Sequence, residues 1–309
     1  MLRLLESLDL KDLASTHWFS LWRDAYLRFY QPIFAAYTYT LSEGRTCLLA
    51  KEPSADRVLA LFDTVQAALP DLLNGRPIED LLLASENIPL WERYFNIENQ
   101  LYQMNNQWLA QCIQPLVKPG DVLLEVGGGF GSAALTLART LTPTQREQAH
   151  LVFSEIVPFF MSRARRALGG QFAKIDYKML DLNHINEPPS PGQFDLIYGV
   201  NVLHVAQDLE STLATLYQWL QPGGSLVFSE AVRPFIDVPI YPEMVFGFFR
   251  DFHQVHLSDL RPKGGFLTQD HWKALLVHQG FQVDTWPKSE LGPEYPFIYS
   301  TCLVAQKPK

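Results

Sequence analysis

No other stretch of this 309-residue chain narrows its fold as sharply as the passage from Val122 to Ala138. The apolar run Val122-Leu-Leu-Glu125-Val126 breaks into Gly127-Gly128-Gly129-Phe130-Gly131, and a helical sequence resumes at Ser132. Such a run reads as a buried strand, a tight turn and a helix. Glycines let backbone approach a ligand closely, and the first turn of a helix offers it N–H groups. Units of this kind build open α/β sheets, whose ligands lie beyond the carboxyl ends of the strands. The spacing is GxGxG. A nicotinamide or flavin fingerprint would place its third glycine where Ser132 stands.

The rest of the chain fits that start. From Pro119-Gly120 onward, short apolar runs alternate with helical ones, the pattern of a parallel sheet covered on both faces. Strands are expected at 122–126, 150–155, 175–180, 194–199, 224–230, 281–286 and 297–305, with helices near 132–140, 158–168, 207–220 and 270–279. Residues 231–268 form a long insertion rich in aromatics, Phe235, Tyr241, Phe246, Phe248, Phe249 and Phe252 among them. Residues 1–118 show helical spacing and almost no strand signal. Trp18, Leu21, Trp22, Ala25 and Phe29 would share one face, as would Leu59, Phe62, Val65 and Leu69.

Two acids stand at further strand ends. Glu155 closes the second strand, where a carboxylate can accept both hydroxyls of a ribose, and Asp181 follows the third. The GxGxG turn, with Glu125 two residues ahead of its first glycine, resembles motif I of class I methyltransferases. That resemblance implies S-adenosylmethionine as cofactor, held by Glu125, Gly127, Gly129 and Gly131, by Glu155 at the ribose, by Asp181 at the adenine, and by Leu182 and Asn201. It also implies a Rossmann-like seven-stranded methyltransferase sheet, mostly parallel with its last strand antiparallel. The helical cap or lid domain would be 1–118 and the cofactor-binding catalytic domain 119–309, with the lid insertion 231–268.

In such a sheet strands four and five are neighbours. His204 follows the fourth and Glu230 ends the fifth, so the two would sit side by side near the reactive methyl group. A histidine can take a proton from a hydroxyl or an activated carbon, and a carboxylate on its other nitrogen fixes the tautomer and stabilises the imidazolium.

A closer resemblance covers most of the chain and points to the methyltransferase domains of modular polyketide synthases. It is carried by Leu69-Pro-Asp-Leu-Leu-Asn-Gly-Arg-Pro-Ile-Glu-Asp-Leu-Leu-Leu83, Phe153-Ser-Glu-Ile-Val-Pro-Phe-Phe160, Asn201-Val-Leu-His-Val-Ala-Gln-Asp208, Ser229-Glu-Ala-Val-Arg-Pro234 and Gly265-Phe-Leu-Thr-Gln-Asp-His-Trp272. Carbon- and oxygen-methylating members share the pair at His204 and Glu230. Glu155-Ile-Val-Pro-Phe-Phe, Gly127-Gly-Gly-Phe-Gly and Glu230-Ala-Val-Arg-Pro-Phe are more similar to the oxygen-methylating branch. The resemblance therefore implies O-methylation of a hydroxyl on a polyketide-like or other small natural-product intermediate. C-methylation of a β-ketoacyl α-carbon is the near alternative, and a cofactor-binding protein that transfers no methyl, such as a pericyclase or interaction module, the distant one.

Charge and cysteine usage limit the partners. Twenty-five basic residues against 33 acidic ones give a net charge of -8, which repels a phosphate backbone, so nucleic acid is not expected. A small-molecule or carrier-protein-bound acyl substrate is expected, the carrier meeting a local basic surface such as Arg163, Arg165 and Arg166. Cys47, Cys112 and Cys302 match no zinc or CxxC spacing, and His253 and His256 have no evident third ligand, so no metal is expected. The acid-containing N-terminus does not read as a secretion signal, and no window approaches the roughly 18 apolar residues of a membrane span. A cytoplasmic protein is expected; oligomeric state is not specified.

Overall fold

The computed structural model describes Arg28 and residues 41–73, 76–82, 84–95, 99–185, 189–286 and 299–309. The stripe of Trp18, Leu21, Trp22, Ala25 and Phe29 lies outside the described residues. Seven strands, β1 Val122–Glu125, β2 His150–Glu155, β3 Lys174–Met179, β4 Phe194–Val200, β5 Leu220–Ala231, β6 Gln282–Trp286 and β7 Ser300–Gln306, form one sheet in the order β3-β2-β1-β4-β5-β7-β6. β1 to β5 pair in parallel, while β7 runs antiparallel to both β5 and β6. This is the Rossmann-like methyltransferase sheet. β5 begins at Leu220 rather than near 224, because Leu220 already pairs with Phe194 ahead of a register shift.

Strand periodicity decides which residue faces which layer. Leu124, Val152 and Ile197 point into one apolar cluster with Leu213, Leu216 and Trp272. Leu123, Leu151, Phe153, Leu196 and Tyr198 point into the opposite one. Both faces are thus buried, which is why these strands read as near-continuous apolar runs. The Gln100–Ile113 helix contributes Leu109, Ala110 and Ile113 to the second cluster, so the C-terminal part of the segment read as a cap is built into the sheet's core.

The helices over the sheet begin at local signals. Asp208 accepts from the Ser211 N–H and Thr268 from the His271 N–H, opening Leu209–Trp219 and Gln269–His278. A short helix, Pro143–Gln148, went unread although Thr142-Pro-Thr-Gln145 carries a capping box.

A third cluster gathers Val58, Leu61, Val65, Leu72, Ile78, Leu82, Trp91 and Tyr94 from the N-terminal helices with Val245 from the insertion. On the Ala55–Ala67 helix the buried residues are Ala55, Val58, Leu61 and Val65. Leu59 and Phe62 are only half-buried, and the Phe62 ring lies 6.1 Å from that of Tyr241 in the insertion, centroid to centroid. The insertion is itself fastened by a buried pair, Arg233 with Glu243, whose carboxylate also accepts from the Ile240 N–H at 2.8 Å. No described helix is long and apolar enough to cross a membrane.

Candidate active site

β1 lies between β2 and β4, so the chain leaving it is placed at the centre of the sheet's carboxyl edge. Gly127 stands at φ +58°, and a Cβ there would come within 2.2 Å of Val202 Cγ2. Gly129, at φ +55°, has nothing within 4 Å of its Cβ position. The first glycine is required by packing against the chain after β4; the second leaves bare backbone facing open space. The turn is tied to β2 by the Gly128 N–H to the Ser154 carbonyl and the Gly129 N–H to Glu155 Oε2, each 2.8 Å.

The acids do different work here. Glu155 Oε1 also accepts from Ile156 N and Val157 N at 2.9 and 2.8 Å. Three donors on one carboxylate leave about one lone-pair site for a ligand. Glu125 is buried, accepts from the Tyr198 hydroxyl at 3.1 Å and from the Ala134 N–H, and braces the turn from within. Burial pushes its carboxyl up to about 8; those two hydrogen bonds oppose the rise and the charge of Glu155 adds to it.

At the ends of β2 and β3 lies a cavity of about 470 Å³ lined by Ser154, Ile156, Met179, Asp181 and Ile185 among others. Ile156 and Met179 are large apolar side chains left exposed there. Asp181 accepts from the Asn183 N–H through Oδ1 and meets His184 Nδ1 at 2.9 Å through Oδ2. Leu182 packs against the sheet's core.

At the ends of β4 and β5 lies a second cavity, of about 330 Å³. Asn201, at φ +49°, is the only non-glycine among the described residues with a positive φ, a conformation asparagine tolerates. Its Oδ1 accepts from the Ala231 N–H at 2.7 Å, joining the two strand ends. The bend delivers the short turn Leu203–Val205, and Glu230 receives it: Oε1 accepts from Val202 N and Leu203 N, and Oε2 lies 2.7 Å from His204 Nδ1. His204 and Glu230 are both buried. With Nδ1 committed to Glu230, Nε2 is the nitrogen left for a ligand.

Two further residues hold that imidazole. Phe266 packs on it, 4.2 Å between centroids. Arg261 is buried beneath its turn and donates to the carbonyls of His204 at 2.8 Å and of Ala206 and Gln207. Burial pulls the Arg261 guanidinium down to about 10, against the fields of Asp208 and Glu230. The rest of the wall is aromatic: Trp91, Tyr94 and Phe95 from the N-terminal helices, Phe246, Phe249 and Phe252 from the insertion. Asn99, Tyr102 and Asn105 are polar exceptions. Burial raises the Tyr102 hydroxyl, and the fields of Glu125, Glu230 and Glu155 raise it further. Among the described residues no three His, Cys, Asp or Glu side chains gather into a metal-binding group.

A bare glycine backbone at the centre, a cavity with an aspartate on one side and an oriented histidine on the other together fit a long ligand laid across the strand ends. A methyltransferase-domain family pattern matches residues 124–226. Highly reducing polyketide synthase 40 of Fusarium pseudograminearum is 30% identical over 246 residues, which is 76% of this chain and 9% of that protein. Among solved structures, the CurJ carbon methyltransferase is 25% identical with a TM-score of 0.72, covering 88% of this chain and 72% of that one. This chain is a class I S-adenosylmethionine-dependent methyltransferase resembling those of polyketide synthases. A trans-methyltransferase, CalH, solved in complex with S-adenosylhomocysteine, shares the fold at 21% identity and a TM-score of 0.69, covering 99% of this chain and 87% of that one. The methyltransferase spans only 6 to 11% of the length of the curated polyketide synthases it matches.

Of the residues expected at the methyltransferase's site, Asn201 and His204 line the cavity beside Glu230, while Asp181 lines the one beyond β2 and β3. Glu125 lines neither. Reading the sequence missed Ile156 and Met179, Arg261 and Phe266, whose places depend on the folded chain. Asn99, Tyr102 and Asn105 carried a signal, three polar side chains spaced three apart where the helix continues as apolar core.

Proposed function

We propose that this methyltransferase acts on the α-carbon of a β-ketoacyl thioester presented by a carrier, with His204 as the base and Glu230 as the residue that orients it. S-adenosylmethionine supplies an electrophilic methyl group on a sulfonium. The glycine turn, Glu155 and Asn201 would hold its ribose and methionyl part, with Asp181, Ile156 and Met179 around its adenine. The observation that carries the reading is the buried His204 Nδ1 to Glu230 contact of 2.7 Å at the wall of an aromatic cavity. His204 Nε2 takes the proton that the α-carbon loses, and Glu230 stabilises the imidazolium so formed. Two flanking carbonyls make such a proton far more acidic than that of an alkyl hydroxyl, which brings it closer to the range of an imidazole base. The likeness to a carbon methyltransferase supports the same choice. The aromatic wall excludes water that would otherwise compete for the base.

The second reading is O-methylation of a β-hydroxyl, supported by the branch resemblance of Glu155-Ile-Val-Pro-Phe-Phe160 and Glu230-Ala-Val-Arg-Pro-Phe235. Matched β-ketoacyl and β-hydroxyacyl thioesters, free and on a carrier, incubated with methyl-labelled S-adenosylmethionine and read by mass spectrometry, separate the two. Label on the ketoacyl chain alone is expected. Label on the hydroxyacyl chain alone establishes O-methylation, and label on neither overturns both.

A further inference from the structure

Asn99, Tyr102 and Asn105 lie on one stripe along the start of the Gln100–Ile113 helix, and all three line the cavity that holds His204. Asn99 occupies the N-cap position and is a preferred capping residue, yet its side chain makes no capping bond. Its Nδ2 donates instead to the Tyr94 carbonyl at 2.6 Å. That bond fixes the amide, because a flip would set oxygen against oxygen. Oδ1 is then the polar atom left over, fully buried and without a hydrogen-bond partner among the described residues. Native interiors seldom leave an acceptor so, since the loss is comparable to that of a made hydrogen bond. The cavity that Asn99 lines is walled by Trp91, Tyr94, Phe95 and Phe246, a setting in which a hydrogen bond from a ligand is strengthened rather than shared with bulk water.

We propose that Asn99 is a specificity-determining residue whose Oδ1 accepts a hydrogen bond from an N–H or O–H that the acyl substrate carries away from its methyl-accepting atom. This rests on reading the cavity as the acyl-substrate site. A site built around a buried acceptor rejects ligands that lack the matching donor far more strongly than an apolar wall rejects a changed shape.

Calorimetric binding, in the presence of S-adenosylhomocysteine, tests this whether or not methyl is transferred. The probes are one β-ketoacyl chain as its N-acetylcysteamine thioester, which carries an N–H, and as its ethyl thioester, which carries no such donor, with the β-hydroxyacyl ethyl thioester as the O–H arm. The wild type should bind a donor-bearing probe about tenfold to a hundredfold more tightly than the donor-free one. The arm that gains identifies N–H or O–H as the source. Asn99→Leu should abolish the discrimination while S-adenosylhomocysteine binding persists. Equal wild-type binding of donor-bearing and donor-free probes overturns the inference and leaves the methyl-transfer reading standing. Donor-dependent binding with no methyl transfer to any probe overturns that reading and leaves the inference standing; binding of none overturns both.

Discussion

Where β1, β2 and β3 end, the binding surface is made from backbone and from side chains close together in sequence, Gly127 to Ile185. Where β4 and β5 end, the wall collects Trp91, Tyr102, Asn201, His204, Phe246 and Phe266, from segments spread over more than half the chain. The first surface is held by hydrogen bonds of the turn to β2, the second by side-chain packing and by buried charges such as Arg261 and Glu230. The difference follows from what each end is proposed to meet. A cofactor of fixed shape can be held by fixed backbone, which only glycine and strand ends supply, whereas an acyl chain is selected by side chains that differ from one enzyme to the next.

The largest way to break this contrast is to disable one end and leave the other intact. His204→Gln keeps a polar side chain on the same turn but removes the base. Methyl transfer in single-turnover assays should fall about 10²- to 10⁴-fold, while S-adenosylhomocysteine affinity and the thermal unfolding midpoint stay near wild type. A matching loss of cofactor affinity would show that the two ends are not separable.

The reciprocal change is Gly127→Ala. The new methyl meets Val202 Cγ2 in a backbone conformation that alanine resists, so roughly 2–4 kcal/mol should be lost between stability and cofactor affinity. Because Val202 also donates its N–H to Glu230, some of the damage should reach the base. Pairing this substitution with Val202→Ala should restore much of the cofactor affinity measured by calorimetry. Failure to restore it would assign the loss to backbone strain instead of the clash.

The same contrast explains what could be read from the sequence. The strands appear within a residue or two of their expected ends wherever an apolar run was closed by an acid or glycine, as at Glu125, Glu155 and Glu230. The pair His204 and Glu230 was legible because neighbouring parallel strands bring their ends together. Arg261 was not, since nothing in Asp-Leu-Arg261-Pro states that its guanidinium turns inward to three carbonyls 54 to 57 residues away. Phe62 packs against the helical cluster that holds Val65, but its ring pair with Tyr241 of the insertion could not be read from helical spacing. Glu125 was legible as part of the turn and misleading as to its surroundings, because periodicity does not reveal that Tyr198 reaches across from β4 to meet it.

That enclosure of Glu125 has the smallest of these consequences and the most direct sign. Its carboxyl is held near 8, against 4.5 ordinarily, so across pH 5 to 8 the folded chain keeps a proton that the unfolded chain has released. Folding therefore binds a proton in that window, and the stability contributed by neutral Glu125 is complete below the unfolded value and drains away as pH rises toward 8. One proton amounts to about 1.4 kcal/mol per pH unit. Thermal unfolding at pH 6 and 7 should show a loss of about that size in the wild type, beyond what other groups contribute. Glu125→Gln, which still accepts from Tyr198 and carries no charge at any pH, should flatten this part of the profile. An unchanged slope in the variant would mean that Glu125 is already ionised at neutral pH and that the turn at the cofactor end is braced by a charge, the device otherwise found at the substrate end.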